Sequence, residues 1–103
     1  MNSDLRDLTD IDRTIHEPAR LLLVAILYAA ESADFLYLLR ESGLSKGNLS
    51  THLTRLEQAE YIQVEKTFRG KIPQTLIRLT KKGRAAFEAY RRQLKRIVET
   101  TAK

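Results

Sequence analysis

Leu44-Ser45-Lys46-Gly47-Asn48-Leu49-Ser50-Thr51-His52-Leu53-Thr54-Arg55-Leu56-Glu57 decides the fold of this chain. Wound as a helix, it has two unlike faces. Leu49, Leu53 and Leu56 recur at i, i+4 and i+7, the spacing of one buried stripe. The other side carries Gly47, Ser50, Thr51, Thr54 and Arg55. Solvated helix faces usually lean on Glu, Lys and Gln, which favour helix; Ser and Thr are weaker formers. Short hydroxyls let a helix come close to a phosphate backbone and still offer it hydrogen bonds. The stretch is therefore expected to lie against nucleic acid.

The neighbouring segments frame this helix. Ser45 is a good N-cap, and Leu44 before it with Leu49 at N4 makes a hydrophobic staple. Upstream, Asp34 caps a helix over Phe35 to Glu41, which Gly43 ends. Two helices joined by a tight turn containing Gly form a helix-turn-helix. Before it, Pro18 suits the first turn of a helix that runs through Arg20 to about Ala30. That helix is apolar nearly all round, so it lies centrally or under a partner chain. Residues 1–17 form a short packed helix or a loose segment. The recognition segment ends near Ala59–Glu60, and the period then changes to two. Ile62, Val64 and Lys66 alternate with Gln63, Glu65 and Thr67; Thr75, Ile77 and Leu79 share a face of the returning strand. The hairpin tip holds Arg69, Gly70 and Lys71. Thr80 caps a long last helix with the apolar stripe Ala86, Phe87, Tyr90, Leu94, Ile97 and Val98. Its outer face is Arg84, Arg91, Arg92, Lys95 and Arg96.

The fold class expected is mainly α with a small β-hairpin, a winged helix-turn-helix in one domain, 1–103. The helix-turn-helix spans about 34–60, the wing about 61–80 and the closing helix about 81–99. A chain of 103 residues supports a single modest core. It has no cysteine, hence no disulfide frame and no thiolate metal site. The run Leu21 to Ala30 is too short for a bilayer, which needs about 20 apolar residues. The acidic start, Met1 to Asp12, does not read as a secretory or transit signal, and a cytoplasmic location is expected. Net charge is +5, distributed unevenly: residues 1–43 carry −4, residues 44–82 +5 and residues 83–103 +4. An acidic first third and a basic remainder can present one cationic surface to a polyanion.

With these segments in this order, the chain resembles small winged-helix transcriptional regulators of the MarR-like and ArsR-like kind, in their compact archaeal and bacterial form. The resemblance covers roughly residues 11–98. It is carried by Ile15-His16-Glu17-Pro18-Ala19-Arg20-Leu21, Asp34-Phe35-Leu36-Tyr37-Leu38 and Leu44-Ser45-Lys46-Gly47-Asn48-Leu49-Ser50-Thr51-His52-Leu53. Leu56-Glu57-Gln58-Ala59-Glu60-Tyr61, Pro73-Gln74-Thr75 and Leu79-Thr80-Lys81-Lys82-Gly83-Arg84 complete it. One departure is Glu60, where the family usually has Gly. The resemblance implies a homodimeric repressor or activator on a pseudo-palindromic operator. The first and last helices would make the dimer, the third helix would enter the major groove and the wing would reach the flanking backbone or minor groove.

The candidate DNA contacts on the recognition helix are Ser45, Lys46, Gly47, Asn48, Ser50, Thr51, Thr54 and Arg55. Ser45 is at once a cap and a member of a helix N-terminus that favours anions. Asn48 either pairs with adenine or bonds its own backbone; Arg55 either reaches a guanine or phosphate or pairs with a nearby Glu. On the wing the candidates are Lys66, Arg69, Gly70 and Lys71; the alternative is a charged, soluble turn. Lys66 and Arg78 either flank the groove or solvate the sheet. His52 reads as a packed histidine bonded to a carbonyl, since only His16 offers a second imidazole for a metal. The stripe of the last helix is too long for so small a core to cover. Leu21, Leu22, Val24, Tyr90, Leu94, Ile97 and Val98 are thus candidate contacts with a second copy.

No phosphate loop, acid pair or nucleophile-His-acid set stands out, so no enzyme, metal or cofactor is expected. A small ligand between dimer helices remains open. The competing reading is a winged helix that docks another protein without reading DNA. Such versions place acids or large apolar residues on the outer face of the third helix, whereas this face is hydroxylated and basic. RNA binding is weaker still, because only Phe68 near the wing could stack on a base.

Overall fold

The computed structural model describes residues 3–102; Met1, Asn2 and Lys103, at the ends of the expected 1–103 domain, lie outside the described residues. The chain opens with α1 (Ser3–Arg6) and a 3-10 turn (Asp7–Asp10), followed by α2 (Pro18–Ala30) and a short strand β1 (Ser32–Asp34). Then come α3 (Phe35–Ser42), α4 (Lys46–Gln58), the hairpin β2 (Ile62–Arg69) and β3 (Ile72–Leu79), and the long α5 (Lys81–Thr101). This is the winged-helix arrangement. The starts of α3, α4 and α5 follow the expected caps, and α2 adds a cap at Glu17 that the sequence reading did not include. Glu17, Asp34, Ser45 and Thr80 each accept a backbone N–H in the first turn of α2, α3, α4 and α5, and Pro18 is the first residue of α2. Glu17 and Asp34 sit below the usual carboxylate range, chiefly because the capped N–H stabilises the anion. Gly43 ends α3 in the left-handed region, at φ 71°.

The sheet differs from the expected two-stranded wing. Its order is β1-β3-β2, all antiparallel, with Ser32, Ala33 and Asp34 opposite Arg78, Ile77 and Leu76. The sequence there reads only as a cap and loop, because three residues show no period. The pairing nonetheless covers the edge of β3 and buries Ala33. In β2 the alternation also slips near the tip: Lys66 is exposed and Thr67 half-buried.

A single apolar cluster joins these elements. Ile15, Leu23, Leu27, Leu38, Leu49, Leu56 and Ile77 have no exposed surface. The leucines of α4 point inward as their spacing requires, with Leu53 only 6% exposed. Val24 and Tyr90 belong to this core, at 0% and 2% exposure. They have no side-chain surface for a second chain, which corrects their assignment to a dimer contact. The near-uniform apolar character of α2 had hidden which of its faces turns inward.

The junction after α4 is tightly fitted. Gly83, in the first turn of α5, lies so close to the preceding segment that a Cβ there would fall 2.1 Å from the Tyr61 carbonyl oxygen. That carbonyl accepts the Thr80 N–H at 2.9 Å, and the Thr80 hydroxyl donates to the Glu60 carbonyl at 2.7 Å. The Tyr61 hydroxyl in turn donates to Asp12, whose other oxygen accepts the Thr14 and Ile15 N–H groups. Burial, then the Asp12 hydrogen bond and charge, push the Tyr61 hydroxyl up to about 12. The Leu-Thr-x-x-Gly join is thus a seam where α5, the end of α4 and the N-terminal loop meet.

Candidate nucleic-acid interface

With the leucines inward, Ser45, Lys46, Gly47, Asn48, Ser50, Thr51, Thr54 and Arg55 are all exposed. No acidic residue occurs in α4 before Glu57. Gly47 has nothing within 4 Å of where a Cβ would stand, and its φ is not positive. Neither packing nor backbone geometry in this chain therefore calls for glycine there. The hydroxyls behave differently from the sequence expectation. Thr51 donates to the Gly47 carbonyl at 3.0 Å and Thr54 to the Ser50 carbonyl at 2.9 Å. Their protons are spent inside the helix, so what they turn outward is acceptor oxygen and methyl. Backbone N–H groups of the first turn, Lys46, Asn48 and Arg55 remain as donors toward an anion.

The wing extends the same cationic character. Lys66, Arg69 and Lys71 are exposed, and Gly70 turns the hairpin at φ 66°. Beside them Phe68 and Ile72 are each 69% exposed. Arg78 pairs with Glu65 at 3.3 Å, which favours the solvated-sheet reading for that residue. Lys46 shares a small cleft with Pro73, Gln74 and Thr75 of β3, which joins one flank of α4 to the wing.

His52 is half-buried, but its partner is not a carbonyl. Its Nδ1 lies 3.2 Å from Arg20 Nη1. A guanidinium can only donate, so that nitrogen accepts and the imidazole proton sits on Nε2, 3.9 Å from Glu17. His16 Nδ1 meets the Tyr90 hydroxyl at 2.9 Å. Among the described residues no group of three or more His, Cys, Asp or Glu could hold a metal. No helix among them is long and apolar enough to cross a membrane.

Much of the cationic face of α5 is engaged within the chain. Arg84 and Arg91 stack on the Tyr28 ring, at 4.7 and 5.6 Å from its centre, and Arg96 pairs with Asp7 at 3.3 Å. Arg92 and Lys95 stay exposed. Of the residues expected at a dimer contact, Leu22 and Val98 are exposed, at 40% and 66%, and Leu21, Leu94 and Ile97 are half-buried. The sequence reading missed Arg13 and Arg20, which stand beside Arg55; Arg13 comes from a segment with no periodic signal, and Arg20 from the first turn of a helix read for its apolar residues.

Comparison with known proteins agrees with this fold. The chain is similar over 99% of its length to a transcriptional regulator homologue from Pyrococcus horikoshii OT3, with a TM-score of 0.89 at 20% identity, covering 100% of that chain. It also resembles NadR, solved in complex with 4-hydroxyphenylacetate, with a TM-score of 0.71 at 17% identity over 95% of this chain and 70% of that one. HlyU from Vibrio cholerae gives 0.64 at 17% identity, covering 89% of this chain and 96% of that chain. In sequence, an uncharacterized protein of Methanocaldococcus jannaschii is 38% identical over 72 residues, 69% of this chain and 77% of the relative. Residues 19–98 match the model of the winged helix DNA-binding domain. The chain belongs to that winged helix DNA-binding family.

Proposed function

We propose that the protein is a homodimeric transcriptional regulator that binds duplex DNA, with α4 in the major groove and the wing on the flanking backbone or minor groove. The observation that carries this reading is the bare outer face of α4. Its polar side is exposed, free of acids before Glu57 and centred on a glycine that neither packing nor φ requires. Such a face fits a surface that another molecule approaches closely. Asn48 is the base-reading candidate and Arg55 reaches a guanine or a phosphate; Ser45, Lys46, Ser50, Thr51 and Thr54 position the helix, and Lys66, Arg69 and Lys71 hold backbone around Gly70. Leu22 and Val98, with Leu21, Leu94 and Ile97 around them, offer apolar surface from α2 and α5 for a second copy. A two-fold dimer would read a pseudo-palindromic operator in half-sites about 10–10.5 base pairs apart. A chromosomal partner places its work in the cytoplasm, and no catalytic step enters this reading.

Selection of bound duplexes from a random pool tests it. A two-fold related consensus is expected, with Asn48→Ala cutting discrimination between consensus and random duplex by roughly 5- to 150-fold, the worth of one bidentate base contact. A pool that shows no enrichment, beside capture of a protein partner, would transfer the fold to protein docking.

A further inference from the structure

We propose a second phosphate clamp in this molecule, the cleft between the start of α2 and the C-terminal half of α4. There Arg13, Arg20 and Arg55 take a DNA backbone phosphate on the flank of α4 away from the wing. The inference rests on the DNA-binding reading above and adds a contact to it. The cleft measures about 390 Å³ and is lined by Arg13, Thr14, Arg20, Arg55, Gln58 and Ala59. Its lining carries three cations and no acid.

The cleft arises from two segments that the sequence keeps apart. Asp12 accepts the Thr14 and Ile15 N–H groups and turns the chain before α2, which brings Arg13 and Thr14 beside α4. The Arg20 guanidinium is held from both sides. Its Nε donates to the Thr14 carbonyl at 2.6 Å and its Nη1 to His52 Nδ1 at 3.2 Å, leaving Nη2 for a ligand. Arg55 follows His52 by three residues, so it stands on the same flank of α4 one turn further on.

The nearby carboxylates have partners of their own, and Glu17 also attracts the Arg20 charge, which leaves Arg13 and Arg55 as the less compensated cations of the cleft. Asp12 serves two N–H groups and the Tyr61 hydroxyl; Glu17 caps α2 through the Arg20 N–H and faces His52. Arg13 and Arg55 make no ion pair among the described residues. Three guanidinium groups around one opening repel each other in the free protein. A bound phosphate reverses that sign, and the guanidinium fork matches its oxygens two at a time.

Placement then selects the ligand. Lys46 and Arg55 are nine residues apart, about two and a half helical turns, so they lie on opposite flanks of α4. Lys46 borders the wing strand; Arg55 borders the arginine cleft. A helix in a groove has a phosphate backbone along each flank. The wing serves one of them and this cleft the other.

Arg13→Ala is the test, because Arg13 is exposed and its loss leaves the core untouched. Binding of the full chain to the selected operator and to a random duplex would be followed across a salt series. The variant should melt with the wild type and lose affinity for both duplexes by the same factor, roughly 3- to 10-fold at low salt. The slope of log affinity against log salt should fall by about one. Arg13→Glu should lose more on both. An unchanged slope and affinity in Arg13→Ala, with wild-type binding intact, overturns the clamp alone. A changed sequence preference also overturns it, since Arg13 would then read a base. Wild-type protein that binds neither duplex brings down the underlying DNA reading with it.

Discussion

Gly47 and Gly83, second and third residues of their helices, meet opposite surroundings. Each lies in the first turn of a helix whose N-cap hydroxyl, Ser45 or Thr80, accepts the N–H of the third helical residue. Around Gly83 the chain closes in: a Cβ would stand 2.1 Å from the Tyr61 carbonyl oxygen and 2.9 Å from its carbonyl carbon and Cα. Around Gly47 there is open space. One glycine is required by the protein's own packing. The other answers to no packing or backbone demand of the protein itself. The contrast extends along the molecule: the seam at Tyr61 and the leucines of α4 serve the fold, while the outer face of α4 contributes little to it.

The largest expected effect is at Gly83. The atoms that Gly83→Ala would strike are backbone, so no rotamer change relieves the clash; α5 must shift or the Thr80–Tyr61 hydrogen bond must break. Overpacking costs typically 1–3 kcal/mol, and a lost hydrogen bond adds to it, so a loss of about 3 kcal/mol or more is expected. In a domain of this size that lowers Tm by more than about 12 °C in thermal unfolding. A variant melting within a few degrees of wild type would show that the seam is softer than its geometry implies, and the comparison would break there.

Gly47→Ala should move the other way. Alanine is the better helix former by about 0.8–1.0 kcal/mol in a helix interior, and less in a first turn. A rise in Tm of about 2–4 °C is expected, for a gain near 0.5 kcal/mol. On the proposed reading operator affinity should fall in the same protein, because the added methyl would stand between the helix and the DNA. A variant that is both more stable and equally tight on DNA would remove the reason given for this glycine.

What could be read from the sequence follows the same division. Features set by local rules were legible: the caps Asp34, Ser45 and Thr80, the inward leucines of α4 and the hairpin about Gly70 all stand as expected. What depends on tertiary pairing was not. Strand β1 is too short to show a period and exists because β3 has an edge to fill. Val24 and Tyr90 belong to apolar stripes whose own-core and outward faces look alike in sequence. Thr51 and Thr54 suggested free donors, yet each bonds the carbonyl four residues back. Arg13 and Arg20 meet Arg55 only after the turn at Asp12 has formed.

Glu60 is the converse of both glycines: its backbone conformation suits glycine and its side chain is something else. At φ 65° it is in the left-handed region, where a side chain costs about 1–2 kcal/mol. The contact that holds the turn is its backbone carbonyl, which accepts the Thr80 hydroxyl and would survive in Glu60→Gly. What the substitution removes is the pair with Lys82 at 3.1 Å, with the two side chains 60% and 77% exposed, a pair worth between about zero and 1 kcal/mol. Glycine also gives the unfolded chain more freedom, a penalty of roughly 0.5–1 kcal/mol. The relief of strain should slightly outweigh these losses, raising stability by about 0.25 kcal/mol and Tm by about 1–2 °C. A clear fall in Tm would mean that the Lys82 pair and chain entropy outweigh the strain. The seam would then depend on a side chain as well as on the fit of Gly83 against Tyr61.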